Sequence, residues 1–132
     1  TFAALEVLRV TDKTDIELQK NVTDCECLAH LGRYYAAKIR GSCALALFDA
    51  SSDTFEHTAA LRHLAEALSH WKKYATLRDA SYVPALYNRL GYVDVTAITE
   101  AVAADIEAAK SWKPGTLKDN GKRAGSEKGF RE

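Results

Sequence analysis

The clearest hydrophobic period in the chain runs through Leu61, Leu64, Leu68, Trp71 and Ala75, an alternation of threes and fours that marks one face of an α-helix. Arg62, Glu66, Lys72, Lys73 and Arg78 fall mostly off that stripe. Asp53, with Glu56 three residues on, has capping-box spacing and predicts the start of this helix. Upstream, Leu28, Leu31, Tyr35, Ile39, Cys43 and Ala46 define a second stripe, and Thr23 with Glu26 predicts its N-terminal cap. Nothing interrupts this earlier helix before the polar run Asp49-Ala50-Ser51-Ser52-Asp53. So short a turn makes the two long helices antiparallel neighbours. Gly32 and Gly41 lie inside the first of them, each costing about 1 kcal/mol relative to alanine, which predicts a second helix packed close by.

The flanks read less simply. Residues 2–20 predict one or two short helices, with Phe2, Leu5, Leu8 and Arg9 on one face. Residues 79–93 read as a connector holding a short helix, with Pro84 in its first turn and Gly91 as its C-terminal cap. Asp94 is positioned to cap a last helix, whose inner face is Ile98, Val102 and Ile106 and which Trp112 closes. The last twenty residues hold four glycines, six basic residues and only Leu117 and Phe130 as large apolar side chains. Such a segment cannot bury enough surface to offset its ordering entropy. The expectation is therefore an all-α fold: an antiparallel bundle of about four main helices over residues 1–112, with a disordered tail over 113–132.

Composition narrows the function. Apolar residues make up 47% and charged residues 27% of the chain, and eighteen basic residues balance eighteen acidic ones. A dedicated nucleic-acid binder would carry a basic surplus, so no nucleic-acid partner is expected. Every apolar run is short and broken by charge, so no membrane partner is expected either. The chain starts at Thr1, contains no methionine and begins in mid-pattern, as a piece of a larger protein would. Cys25, Cys27 and Cys43 are an odd set at low density, better suited to filling a core than to a disulfide framework.

Candidate chemistry is sparse. His63, Glu66 and His70 share a helix face, but no partner helix offers a matching Glu-x-x-His, so no metal is expected. Cys25, Cys27 and His30 point apart on a helix, since residues two positions apart diverge by roughly 200°. Phosphate loops, nucleophile elbows and zinc-protease helices are absent, leaving no catalytic residue to name and no cofactor to expect. One cluster invites a binding role: Trp71, Tyr74, Tyr82, Tyr87 and Tyr92, with Arg89 and His70 beside them. Rings next to hydrogen-bonding groups form a docking surface for another domain or a platform for a glycan, although Trp71 also sits on the core stripe.

Several strings resemble a known family: AHLGRYYAAKIRG at 29–41, ALALF at 44–48, AEALSHWKKYA at 65–75, YVP at 82–84, RLGYVD at 89–94 and VAADI at 102–106. Together they are similar to the helical C-terminal region of large bacterial glycoside-hydrolase-like proteins of α-glucuronidase-like or hexosaminidase-like type. The likeness spans roughly residues 24–108, and its motifs are packing patterns. It implies a parent with a catalytic barrel in the same polypeptide, against which this bundle packs as an accessory domain, and a possible glycan along one wall. By association it implies a periplasmic or extracellular setting. A helical module that binds a separate protein partner is the alternative.

Overall fold

A computed structural model describes residues 6–7, 14–87 and 91–117, with only the backbone of Tyr87. Three helices make up most of it: α1 (Ile16–Ser51), α2 (Thr54–Ser81) and α3 (Val95–Lys110), with a two-stranded hairpin, β1 (Ala85–Tyr87) and β2 (Gly91–Val93), before α3. The bundle is thus three helices among the described residues rather than about four. The expected helix face Phe2, Leu5, Leu8 and Arg9 lies outside the described residues.

α1 begins earlier than its sequence suggested. Asp15 caps it, its carboxylate accepting from the Leu18 N–H at 2.9 Å. The helix then runs unbroken through the supposed cap at Thr23. Thr23 instead donates its hydroxyl back to the Gln19 carbonyl at 3.0 Å, a bond open only to a residue already inside a helix. The break after Ser51 is as expected. Ser52 takes the left-handed conformation (φ 61°), and its N–H reaches the Phe48 carbonyl. Asp53 opens α2 by accepting from the Phe55 N–H at 2.8 Å, and Asp94 opens α3 by accepting from Ala97 at 3.0 Å.

Where α1 and α2 meet, small residues set the spacing. Ala37, Gly41 and Ala44 face Ala60, Leu64 and Ala67, and Ala37 and Ala60 have no exposed surface at all. A β-carbon added at Gly41 would stand 2.9 Å from Leu64 Cγ and 3.4 Å from the Ala60 carbonyl oxygen, so only glycine fits there. Larger side chains fill the space on either side: Tyr34, Phe48 and Trp71 are each 7% exposed or less. The Tyr34 and Trp71 rings meet at 5.0 Å between centroids, tilted by 58°. The α2 stripe agrees with its sequence: Leu64, Trp71 and Ala75 are buried and Leu68 packs against them.

The α1 stripe does not agree. The buried face is Val22, Cys27, His30, Tyr34, Ala37, Gly41, Ala44 and Phe48. The expected residues Leu28, Tyr35 and Ile39 are 66%, 55% and 62% exposed, and Cys43 and Ala46 are exposed too. α1 is apolar around most of its circumference, so periodicity alone could not say which side α2 would take. The cysteines follow: Cys27 is buried, while Cys25 and Cys43 are exposed free thiols rather than core filler.

The connector is a hairpin, not a short helix. Ala85 pairs with Val93 and Tyr87 with Gly91, which has φ +79°. Pro84 lies two residues after Tyr82, whose backbone is extended (φ −137°, ψ 141°), and the bias of pre-proline positions is likewise away from helix. α3 packs chiefly on α2. Its buried positions are Val95, Val102 and Ala109, whereas Ile98, expected inside, is 40% exposed. Lys38 crosses from α1 to Asp105 at 2.8 Å, and His57 donates Nε2–H to the Ala109 carbonyl at 2.8 Å.

The chain stays fastened beyond residue 112. Asp49, 7% exposed, accepts from Trp112 Nε1 at 2.8 Å, from the Thr116 N–H at 2.8 Å and from the Leu117 N–H at 3.2 Å. Its own carbonyl accepts from Gly115 N–H at 2.9 Å. Burial pushes the Asp49 pKa up, but hydrogen bonds from Trp112, Leu117 and Thr116 outweigh it and hold the pKa below the ordinary carboxylate value. The bundle therefore extends to Leu117, and the remainder of the expected disordered tail, 118–132, lies outside the described residues.

Two measurements check this packing. Gly41→Ala should lower the free energy of unfolding by about 1–3 kcal/mol, because the new methyl meets the Leu64 branch point. Gly32→Ala, with nothing within 4 Å of the new atom, should raise it by about 0.5–1 kcal/mol. Urea unfolding of both variants reads this opposition, and equal effects would refute the assigned helix faces. In a Trp71→Phe background, where Trp112 is the remaining tryptophan of two, Asp49→Ala should lower Tm and red-shift the indole emission. An unshifted spectrum would show that Asp49 does not hold Trp112.

Candidate functional site

Three features of the described surface bear on function: a pair of histidines across the α1–α2 interface, a cleft beside it, and the outer face of α1.

His30 on α1 and His70 on α2 meet Nδ1 to Nδ1 at 3.1 Å, with ring centroids 5.4 Å apart. Each centroid lies about 1.1–1.2 Å from its own ring nitrogens by ordinary imidazole dimensions. The centroid separation therefore equals the N···N distance plus two ring radii, so the lone pairs point straight at one another. That is the geometry of one N–H···N hydrogen bond: one ring donates from Nδ1 and the other accepts. A shared metal would need both lone pairs to converge at an angle. Among the described residues, no three of His, Cys, Asp and Glu come together as ligands. His63 turns instead to Glu66, 3.4 Å away, so His63, Glu66 and His70 do not form one cluster.

Both histidines have pKa values below the ordinary 6.5. For His30 the causes are burial, the facing His70, then Lys73 and Arg33, opposed by Glu26. For His70 they are burial, then Arg33 and Lys73, opposed by Glu66. A depressed imidazole pKa means that the unfolded chain binds protons more readily than the fold does. The stability this pair contributes is present above pH 6.5 and is lost as pH falls through the lower folded values. The urea midpoint should thus drop between pH 7.5 and pH 5, and His70→Gln should flatten that slope. An unchanged slope in the variant would place the pH dependence elsewhere.

A pattern in the chain foreshadows the pair. Glu26-x-Leu28-x-His30-x-x-Arg33-Tyr34 on α1 recurs as Glu66-x-Leu68-x-His70-x-x-Lys73-Tyr74 on α2, at an offset of 40 residues. Its offset differs from the 34-residue period of tetratricopeptide motifs. Folding the hairpin at Ser52 brings the two copies side by side and points their histidines together.

The cleft, of about 320 Å³, lies between the first half of α1 and the end of α2, lined by Asp24, Cys27, Leu28, Leu31, Tyr74, Arg78 and Tyr82. Tyr82 donates its hydroxyl to Asp24 Oδ1 at 2.6 Å. Arg78 is 7% exposed, an exception to its expected place off the buried stripe. The Cys27 thiol is pushed up by burial and by Asp24 and Glu26, with Arg78 acting against them, so it stays protonated and is a poor nucleophile.

The aromatic cluster expected from sequence is divided. Tyr74 and Tyr82 line the cleft. Trp71 is core, stacked edge-on to Tyr74 and donating Nε1–H to Thr99 at 3.1 Å. Tyr92 lies on the hairpin, 67% exposed. Arg89 and the side chain of Tyr87 lie outside the described residues.

The outer face of α1 is the largest of the three features. Cys25, Leu28, Gly32, Tyr35, Ala36, Ile39, Cys43, Ala46 and Leu47 are all exposed. At 100° per residue they fall within a sector of about 120°, and no Asp, Glu, Lys or Arg between residues 25 and 50 enters it. This strip is about 33 Å long at 1.5 Å per residue. Apart from Leu31, which packs against the core, the stripe read from the sequence lies on this uncovered side of α1.

Protein-family models, characterised proteins and solved structures include no match to this chain. Its described part is a helical hairpin bearing a third helix, and none of its helices is long and apolar enough to cross a membrane.

Proposed function

We propose that the chain is a non-catalytic helical docking domain that buries the outer face of α1 against a neighbouring domain. The uncovered strip from Cys25 to Leu47 carries the reading. Isolated exposed apolar residues are ordinary, whereas a long charge-free strip marks an interaction surface. A helix apolar on two opposite sides has, in globular proteins, an apolar partner to find on each. Gly32 adds to this: it costs about 1 kcal/mol inside the helix, and among the described residues nothing lies within 4 Å of the space it leaves. A partner backbone approaching closely would fill it.

The neighbour that the sequence resemblance supplies is the catalytic barrel of a glycoside-hydrolase-like polypeptide, with this bundle as its C-terminal support. In that arrangement the barrel provides the chemistry. The bundle provides stability, and its surface at Tyr74 and Tyr82 can form part of one wall of a glycan site.

The test uses the barrel encoded upstream in the same gene, expressed apart and titrated against this chain by calorimetry. Ile39 is 62% exposed, so Ile39→Glu should leave the Tm of the bundle within about 2 °C of wild type. The same substitution should weaken the association at least tenfold, since it places a charge in an apolar interface. Association unaffected by Ile39→Glu would rule out this face. Were no barrel encoded upstream, the accessory role would fail, and the strip would then serve a separate protein partner.

A further inference from the structure

The His30–His70 contact stands at a boundary within the hairpin, whatever covers the outer face of α1. Towards the turn at Ser52, the two helices close on Tyr34, Ala37, Ala67 and Trp71, and then on the Gly41 seam. In the other direction they part around the cleft, which reaches Cys27 and Tyr74, one turn beyond each histidine. There Tyr82, bonded to Asp24, ties the helices across the opening. The pair thus divides a packed half of the hairpin from an open half. His30 is 7% exposed and His70 half-buried, so water does little to screen charge placed on them.

We propose that this contact is a proton-operated latch: it tolerates one added proton and, on taking a second, releases the cleft end of α1 while the Gly41 seam stays closed. The proton positions give the reason. In the neutral pair one ring donates from Nδ1 and keeps a lone pair on Nε2, while the other accepts at Nδ1 and carries its hydrogen on Nε2. The first proton goes to Nε2 of the donor ring, and the bond between the rings becomes charge-assisted. The second has only the accepting Nδ1 left. It removes the acceptor and sets two N–H groups, on two cations, head to head at 3.1 Å. The surrounding charges do not absorb them, since Glu26 and Arg33 on α1 and Glu66 and Lys73 on α2 cancel. α3 directs its Asp105 to Lys38 instead. Both imidazoles are harder to protonate than a free one, so opening is favoured as pH falls below 6.5. It stays local because the half that encloses the cleft shares less packed surface than the seam, and such regions open first.

The test uses the full 132-residue chain with Cys25→Ser and Cys43→Ser, which leaves the buried Cys27, on the turn before His30, as the reporter thiol. Its rate of reaction with dithiodipyridine is divided by that of the urea-unfolded chain at the same pH. This ratio should rise at least about tenfold from pH 7.5 to pH 5, the factor that one pKa unit carries. Over the same range the amides of Gly41 and Ala44 should keep their protection from hydrogen exchange. His70→Gln, whose amide can still bond His30 but takes no proton, should remove the rise. His30→Gln should do the same, and carries the test if the first variant does not fold. His63→Gln, beside Glu66, should leave the rise in place. A flat ratio, a rise that persists in a folded His30 or His70 variant, a rise lost in His63→Gln, or Gly41 losing protection together with Cys27 would overturn the proposal.

Discussion

The close approach of α1 to α2 is the constraint on which the rest of the structure depends. It is set where Gly41 meets Leu64 and Ala60, a contact that leaves no room for a β-carbon. With Ala37, Ala44 and Ala67 extending the seam, the two backbones run near enough for short side chains to fill the space between them. Bulk is pushed to the margins, where Tyr34, Phe48 and Trp71 form the edges of a groove. α3 settles on one such edge by burying Val95, Val102 and Ala109, three residues a heptad apart. The same proximity brings His30 and His70 within hydrogen-bond reach across the interface.

That geometry also explains what holds the ends. Small-residue seams bury little area per residue, so an assembly built on one gains from directional contacts at its margins. Asp49 supplies the most concentrated set, gathering the Trp112 indole and the backbone of Thr116 and Leu117 at the last turn of α1. His57, stacked on Phe48 at 4.4 Å, ties the start of α2 to the end of α3 beside it. Towards the far end of the hairpin α3 is tied to α2 by Thr96 at Asp79 and by Thr99 at Trp71. There the groove stands open as the cleft lined by Asp24, Leu31, Tyr74 and Arg78.

How far the sequence could be read depended on amphipathicity. α2 has one apolar stripe and charged residues opposite it, so its boundaries, cap and buried face were all legible. α1 was legible as a helix but not in orientation. Its two apolar sides, one through Tyr34 and Ala37 and the other through Tyr35 and Ile39, lie on nearly opposite faces of the helix, and only tertiary packing chooses between them. Thr23 and Glu26 had the spacing of a cap but lay within a continuous helix, because Asp15 had already supplied one. The hairpin at 85–93 was hidden because Pro84 and Gly91 suit a short helix and a β-turn equally well. The cleft joins residues more than forty positions apart, such as Asp24 and Tyr82, and no local pattern shows that pairing. The histidine pair was different in kind, since the recurrence of Glu-x-Leu-x-His at an offset of 40 residues is written in the chain itself.

The second side of α1 connects the fold to a role. A helix of 36 residues that served only this hairpin would gain solubility from charges on its outer surface, as α2 does with Arg62, Glu66, Lys72 and Lys73. Between Cys25 and Leu47, α1 instead confines its charges to Glu26, Arg33, Lys38 and Arg40, all outside the apolar sector. A charged flank around an apolar strip is the layout of an interface core with its rim. The open space over Gly32 fits the same layout, because a glycine on a solvated face weakens the helix without return, whereas one under a partner helix permits close contact. The seam at Gly41 shows the same device already used once, on the side of α1 where the partner belongs to this chain. On the proposed docking reading, the outer strip is where α1 would take its second neighbour.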